Sequence, residues 1–263
     1  MKIIVCVKQV PDTSEVQIDP QTNTLIRAGI PVIINPDDKS AIEAALAIRD
    51  AVEGSTVTVL TMGPRQAEMA LQEALSMGCD EAVLVSSSKF GGSDTRATST
   101  ILAAAIKKIG FDLVLAGRQA IDGDTAQVGP QIAEHLHIPQ VCYAEEITPK
   151  DGAFIVKRQF EECYQIIKVK APCLMTVISE LGKPRYMTVG GIVEAENREI
   201  TVLDFDALSD LIDPLTIGLK GSPTKVVRSY TKEPKSQGAI LKGLSTEDAV
   251  DVIMAHLHES HLL

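Results

Sequence analysis

Four apolar runs spaced along the first half of the chain limit its folding choices most. They are "KIIVCVK" at 2–8, "STVTVLTMG" at 55–63, "EAVLVSS" at 81–87 and "DLVLAG" at 112–117. The first is a continuous β-branched run, typical of a strand buried on both faces. Helical patterns separate and follow them. In "DKSAIEAALAIRDAV" the apolar Ile42, Ala45, Leu46 and Ile48 recur at helical spacing, with Asp37 or Asp38 as the candidate cap. "PRQAEMALQEALSMG" has Pro64 at its start and Gly78 past its end, the asymmetry expected of a helix. "DTRATSTILAAAIKKIG" is capped by Ser93 or Asp94 and closed by Gly110, and "TAQVGPQIAEHLH" opens a fourth helix. Strand and helix alternate four times over about 140 residues, which predicts an α/β fold. The expected architecture is an open, mostly parallel, doubly wound sheet of the Rossmann-like, adenine-nucleotide-binding kind, with right-handed crossovers.

The rest of the chain is less regular. "QVPDTSEVQIDPQTNTLIRAG" at 9–29 reads as a long loop or a small hairpin. After Pro139, "AFIVKRQF", "CYQIIKVK" and "CLMTVIS" read as strands joined by short links, an antiparallel addition to the sheet edge at about 140–180. From Glu180 the chain reads as an extended arm. The expected division is an α/β domain over 1–205 and a C-terminal arm over 206–263. The arm ends in "STEDAVDVIMAHLHESHLL", whose Ser245 and Asp248 form a capping box on an amphipathic helix. Such a helix lies either on a partner subunit or back on its own domain.

Composition narrows the function. Hydrophobic residues make up 45% of the 263, with 3% aromatics and no Trp, so the core is aliphatic. A net charge of −10 argues against a nucleic-acid footprint, which needs a basic stripe. Backbone N–H groups can still hold an anionic cofactor. The five cysteines include no CxxC pair and the five histidines no metal spacing, so free thiols in a reducing compartment and no metal site are expected. No apolar run reaches signal-peptide or membrane-spanning length, which predicts a soluble cytoplasmic protein without membrane insertion.

In such sheets ligands bind beyond the carboxyl ends of the strands. The loops leaving those ends are "VKQVPD", "TMGP", "SSSKFGGSD" and "GRQAIDGDTAQVGP", and "INPDD" can lean into the same crevice. Gly117 permits a sharp turn at the end of the fourth strand. Asp122-Gly123-Asp124 is turn chemistry. If Asp124 caps the next helix, with Gln127 completing a capping box, Pro130 should kink it. If Gly129 is the cap, Pro130 sits at the first helical position and residues 122–128 form an open loop. On either alternative the N–H groups of 123–128 are expected to face the crevice and suit a phosphate. No nucleophile–base pair stands out. The pattern points to a binder of an adenine nucleotide and away from a self-contained hydrolase. A non-redox nucleotide sensor would need a glycine-rich phosphate loop with a basic partner, which is not found.

"VKQVPD", "NPDDKSAIEAAL", "AGRQAIDGDTAQVGP" and "VKRQFEECYQIIKVKAPCLMTV…KPRYMTVGGI" occur in this order. Together they resemble the β subunit of electron-transfer flavoproteins, from about residue 3 to 205. One departure is Cys163, where a glycine or small acidic residue is more usual. The resemblance implies a heterodimer with an α subunit that carries FAD, and an adenine nucleotide in the β subunit. That nucleotide is AMP in housekeeping carriers and a second FAD in bifurcating members. There NADH donates a hydride, and electrons divide between an acyl-CoA-type dehydrogenase or reductase and ferredoxin or flavodoxin. "DGDTAQVGP" and "PRYMTVGGI" look like the bifurcating type, so FAD is expected. By resemblance the cofactor pocket comprises Cys6, Asn35, Pro36, Asp37, Asp38, Met62, Gly117, Arg118, Gln119, Ala120, Ile121, Asp122, Gly123, Asp124, Thr125, Ala126, Gln127 and Val128. Asn35 and the Cys6 backbone would lie near the adenosine and the turn after Asp122 near phosphate. "ELGKPRYMTVGGI" at 180–192 corresponds to the family's recognition loop, with Val189 as apolar anchor flanked by Met187. A buried strand is the other reading of that stretch.

Overall fold

The computed structural model describes residues 1–12, 31–227, 238 and 240–263. The apolar runs and helical patterns become β1 (Lys2–Cys6), α1 (Pro36–Ala51), β4 (Thr56–Met62), α2 (Glu68–Met77), β5 (Glu81–Val85), α3 (Thr95–Ile109), β6 (Leu113–Gly117) and α4 (Val128–Leu136). Two short strands, β2 (Gln9–Pro11) and β3 (Val32–Ile34), pair antiparallel. Most of the stretch between them, residues 13–30, lies outside the described residues. The helix starts follow their chemistry. Asp94 caps α3, its carboxylate accepting from the Ala97 N–H at 3.0 Å. At α1 the expected cap moves upstream: Asn35 is the cap and Pro36 takes the first helical position. A proline fits there because its missing N–H would have no helical partner. Asp37 and Asp38 therefore lie inside the first turn, where negative charge suits the helix dipole.

The chain continues through β7 (Gln140–Lys150), β8 (Ala153–Gln159), β9 (Tyr164–Lys170), β10 (Cys173–Val177), α5 (Val189–Glu196), β11 (Ile200–Leu203) and the single turns α6 (Phe205–Leu208) and α7 (Gly218–Gly221). A nine-stranded sheet runs in the order β11-β5-β4-β1-β6-β10-β7-β8-β9. From β11 to β7 every neighbouring pair is parallel, while β7, β8 and β9 pair antiparallel. This is the expected mostly parallel α/β sheet with an antiparallel addition. Two strands differ from expectation in role. "CLMTV" is not part of the antiparallel addition: β10 inserts between β6 and β7, parallel to both. All five of its residues are buried, as a continuous apolar run with a helix on each face requires. "ITVL", in the stretch after Glu180 that reads as extended and irregular, is β11 and closes the opposite edge.

Side chains alternate between two cores. Ile3 and Val5 of β1 and Leu113 and Leu115 of β6 pack against α1 and α2 on one face. Ile4, Val114 and Leu174 pack against α3 and α4 on the other. Each fully buried Ile, Leu or Val contributes roughly 1.5–3 kcal/mol relative to exposure. Residues Met1–Arg228 form one compact unit and Ser229–Leu263 a second. Leu208, Ile212 and Ile217 are buried in the α3 face, so much of the segment expected to begin the arm belongs to the sheet unit. In the second unit α8 (Thr246–Glu259) starts at Ser245, whose Oγ accepts from the Asp248 N–H at 3.1 Å. Val250, Ile253 and Met254 leave its apolar side exposed. No helix among the described residues is long and apolar enough to cross a membrane. All five cysteines are free thiols. Cys163 is exposed between β8 and β9, where its C=O accepts from the Phe160 N–H at 2.9 Å.

Candidate functional site

The strand order reverses at β1. From it β4 and β5 extend to one side, β6 and β10 to the other. The crevice beyond the carboxyl ends of β1 and β6 is the topological switch point. Asp38 holds this fork together. Its carboxylate accepts from the Lys8 N–H at 2.8 Å and the Gly117 N–H at 3.0 Å, tying both strand ends to the start of α1. Glycine at 117 is required by this approach: a Cβ would overlap Asp38 Oδ1 and come within 2.8 Å of the Asp38 backbone nitrogen. Burial pushes the Asp38 carboxyl up to about 7 against these hydrogen bonds, with the Asp37 charge adding to the rise. Burial also pushes the Cys6 thiol up to about 12, which removes it as a nucleophile.

The loop after β6 is fixed by Asn35, which is fully buried. Its Nδ2 donates to the Gln119 C=O at 2.8 Å, and its Oδ1 accepts from the Ile121 N–H at 3.1 Å. The Ala120 C=O accepts from the N–H groups of Gly123 and Asp124, which closes the turn. The Gln119 side chain donates to the Asp124 carboxylate. Lys8 reaches across from the end of β1 and pairs with Asp122 at 2.6 Å. Asp124 and Ala126 both hold left-handed backbone, with φ of 54° and 52°. That conformation is costly for residues with a Cβ and persists only where surroundings enforce it.

Neither sequence alternative for the next helix holds. α4 begins at Val128 with Gln127 as cap. Pro130 falls in the first turn, where no N–H is needed, and causes no break. Asp124 is a loop residue, not a cap. Of the amides expected to face the crevice, those of Gly123 and Asp124 are spent on Ala120. Among the described residues the N–H groups of Thr125, Ala126, Gln127, Val128 and Gly129 have no hydrogen-bond acceptor. Gly129 lets the helix start lie against β10, since a Cβ there would meet Thr176 Cγ2. Gln127 is braced from the side by the Thr95 hydroxyl, which donates to its Oε1 at 3.1 Å. A helix start with several unpaired N–H groups attracts phosphate.

Arg118 follows Gly117 at the end of β6, its Nε 3.5 Å from Asp37 Oδ2. Both atoms are buried without a hydrogen-bond partner among the described residues. Burial raises the Asp37 carboxyl, and the Arg118 charge opposes that rise. Met62 closes β4, where a cavity of about 400 Å³ opens towards the end of β5, lined also by Val85, Ser86 and Phe90. Hydrogen bonds and ion pairs thus tie Asn35, Asp37 and Asp38 to the stretch from Gly117 to Asp124, while Pro36 opens α1, Cys6 ends β1, Met62 ends β4 beside it, and Thr125 to Val128 follow in the chain. Sequence reasoning passed over Lys8. Its position inside "VKQVPD", the loop leaving β1, was the available signal.

The stretch from 180 to 192 is not a buried strand. Val189 opens α5, whose start is capped by Thr188 Oγ accepting from the Gly191 N–H at 2.9 Å. Val189 is 81% exposed, with Tyr186, Met187, Ile192 and Val193 exposed beside it. Arg185 anchors the segment to α1 through Glu43 at 2.9 Å and Asp50 at 3.1 Å.

Comparison with known proteins converges on one family. The electron transfer flavoprotein domain matches residues 22–208. The chain is 51% identical over 264 residues to the caffeyl-CoA reductase-Etf complex subunit CarD of Acetobacterium woodii, covering all of both chains. It is 51% identical over 263 residues to the electron transfer flavoprotein subunit beta of Clostridium acetobutylicum, again over the whole of both. It is 52% identical over 260 residues to the acryloyl-CoA reductase electron transfer subunit gamma of Anaerotignum propionicum, covering 96% of this chain and 97% of the other. With a doubly wound sheet and a phosphate-suited crevice at its switch point, the chain belongs to the electron transfer flavoprotein family, as a β subunit of its electron-transfer complexes.

Proposed function

We propose that this chain is the nucleotide-holding subunit of a cytoplasmic, electron-bifurcating electron transfer flavoprotein. Its partners are the α subunit, an acyl-CoA-type dehydrogenase or reductase, and ferredoxin or flavodoxin as low-potential acceptor. FAD in the crevice supplies the redox chemistry, as hydride acceptor for NADH and source of single electrons. The chain's own residues bind and orient. The observation that carries this reading is the row of N–H groups from Thr125 to Gly129, which have no acceptor among the described residues. Asn35 holds the loop leading into that row, and Asp38 and Gly117 hold the strand ends below it.

A phosphate-bearing ligand fits these residues. Gly123 bears on this directly. Its φ is not positive and a Cβ there would stand in open space, so the fold itself has no need of glycine. A ligand that closes on the turn does need one. The reductase names carried by CarD and the Anaerotignum propionicum protein support an acyl-CoA-type partner. Met187 and Val189 form the docking anchor for that partner, and the second unit with α8 packs on the α subunit.

The test is to purify the chain with its α subunit and count FAD and AMP per heterodimer. Two FAD and no AMP are expected. One FAD with one AMP would replace bifurcation by the housekeeping carrier. Absence of any adenine nucleotide would end the nucleotide reading.

A further inference from the structure

The crevice poses a charge problem for an anionic ligand. Asp37, Asp38, Asp122 and Asp124 all belong to it, and among the described residues the cations paired with them are Lys8 and Arg118. Arg118 already faces the buried Asp37. Lys8 is paired with Asp122, but that pair is open to water, with the two side chains 49% and 28% exposed. An exposed ion pair in water is held weakly and exchanges partners readily. The lysine is also built to move at one end only. Its N–H is fixed by Asp38 at 2.8 Å, and its C=O accepts from the Asn35 N–H at 2.9 Å. The backbone is therefore pinned while the four-carbon stem remains free. Asp122 sits three residues before the first unpaired amide of the phosphate-suited row.

We infer that Lys8 and Asp122 form an exchangeable ion pair, in which the Lys8 ammonium leaves the Asp122 carboxylate for the phosphate oxygens of the bound nucleotide. The inference rests on the nucleotide reading above and adds a ligand residue to it. Asp122 then acts as a competitor: it holds the ammonium in place while the crevice is empty and weakens binding by the cost of release. A plain latch makes the opposite demand, because a latch that positions the loop must stay closed when the nucleotide is bound. The two roles separate by the sign of one substitution.

The probe is ADP, which carries the adenosine and a diphosphate without flavin. Its affinity is measured by equilibrium dialysis on the αβ complex freed of nucleotide, at low and at high potassium chloride. Lys8→Gln is expected to weaken ADP binding roughly tenfold, the loss of one charge-assisted hydrogen bond. Asp122→Asn is expected to tighten it, since the competing carboxylate is gone. The salt dependence seen in the wild type should flatten in Lys8→Gln. Weaker binding in Asp122→Asn as well as in Lys8→Gln would identify a latch and overturn the inference. Unchanged affinity in Lys8→Gln would overturn it too. A wild-type complex that is isolated without nucleotide and takes up no ADP is a separate result: it removes the nucleotide reading, and this inference with it.

Discussion

A Gly117→Ala variant is expected to lose about 3 kcal/mol of stability and its bound nucleotide together. The added methyl has nowhere to go. It would overlap Asp38 Oδ1 and crowd the Asp37 Cβ and Asp38 backbone nitrogen, each 2.8 Å away. The Asp37 Cβ and the Asp38 nitrogen cannot swing away as the end of a long side chain could. The Asp38 carboxylate cannot turn aside without releasing the Lys8 and Gly117 N–H groups, both part of the fork between β1 and β6. Overpacking and lost hydrogen bonds therefore add. Calorimetry of the complex with its α subunit checks this, read as a drop in melting temperature with the nucleotide content measured on the same sample. A melting temperature equal to that of the wild type would show that the start of α1 can withdraw from β6, contrary to this account.

Asn35→Ala is expected to act on the ligand more than on the fold. The substitution strands two groups, the Gln119 C=O and the Ile121 N–H. A buried polar group left unpaired costs about 1–3 kcal/mol. Here the loop can relax towards water, since Ile121 is already 55% exposed. Stability should therefore fall by only about 1–2 kcal/mol, while the row of amides loses its fixed approach and nucleotide affinity falls roughly tenfold or more. Asn35→Asp should not rescue it. An aspartate keeps the acceptor for Ile121, loses the donor to Gln119, and places a third carboxylate beside Asp37 and Asp38. Nucleotide retained by each complex through gel filtration is the readout. Full retention in Asn35→Ala would mean that the loop finds its place without the clamp.

The parallel core was legible because its strands are continuous apolar runs and its helices repeat at the right spacing. What escaped has specific causes. β10 reads as part of the antiparallel addition because its chain neighbours are antiparallel strands; its five buried residues are the mark of an interior parallel strand. β7 carries Glu145, Glu146 and Pro149 and runs out beyond the parallel sheet to meet β8, so it shows no clean alternation. β11 is four residues in an otherwise irregular stretch, and only its pairing with β5 makes it a strand. At the crevice, the types of residue were legible but their partners were not. Asp122 and Asp124 read as turn and cap residues from local rules. Asp122 in fact pairs with Lys8, 114 positions away. Asn35 could have been read as the cap of α1 from the proline that follows it, whereas its clamp on Gln119 and Ile121 spans more than 80 positions and has no local signature.

Nucleotide binding at this site depends on the amides of Thr125 to Gly129 gripping phosphate. Hydrogen exchange of this segment, followed in the αβ complex with and without adenine nucleotide, addresses that most directly. These N–H groups have no acceptor among the described residues, so without nucleotide they should exchange quickly. On loading they should become protected, while the amides of Gly123 and Asp124, already bonded to Ala120, change little. A nucleotide held stoichiometrically while Thr125 to Gly129 exchange as fast as before would contradict the account.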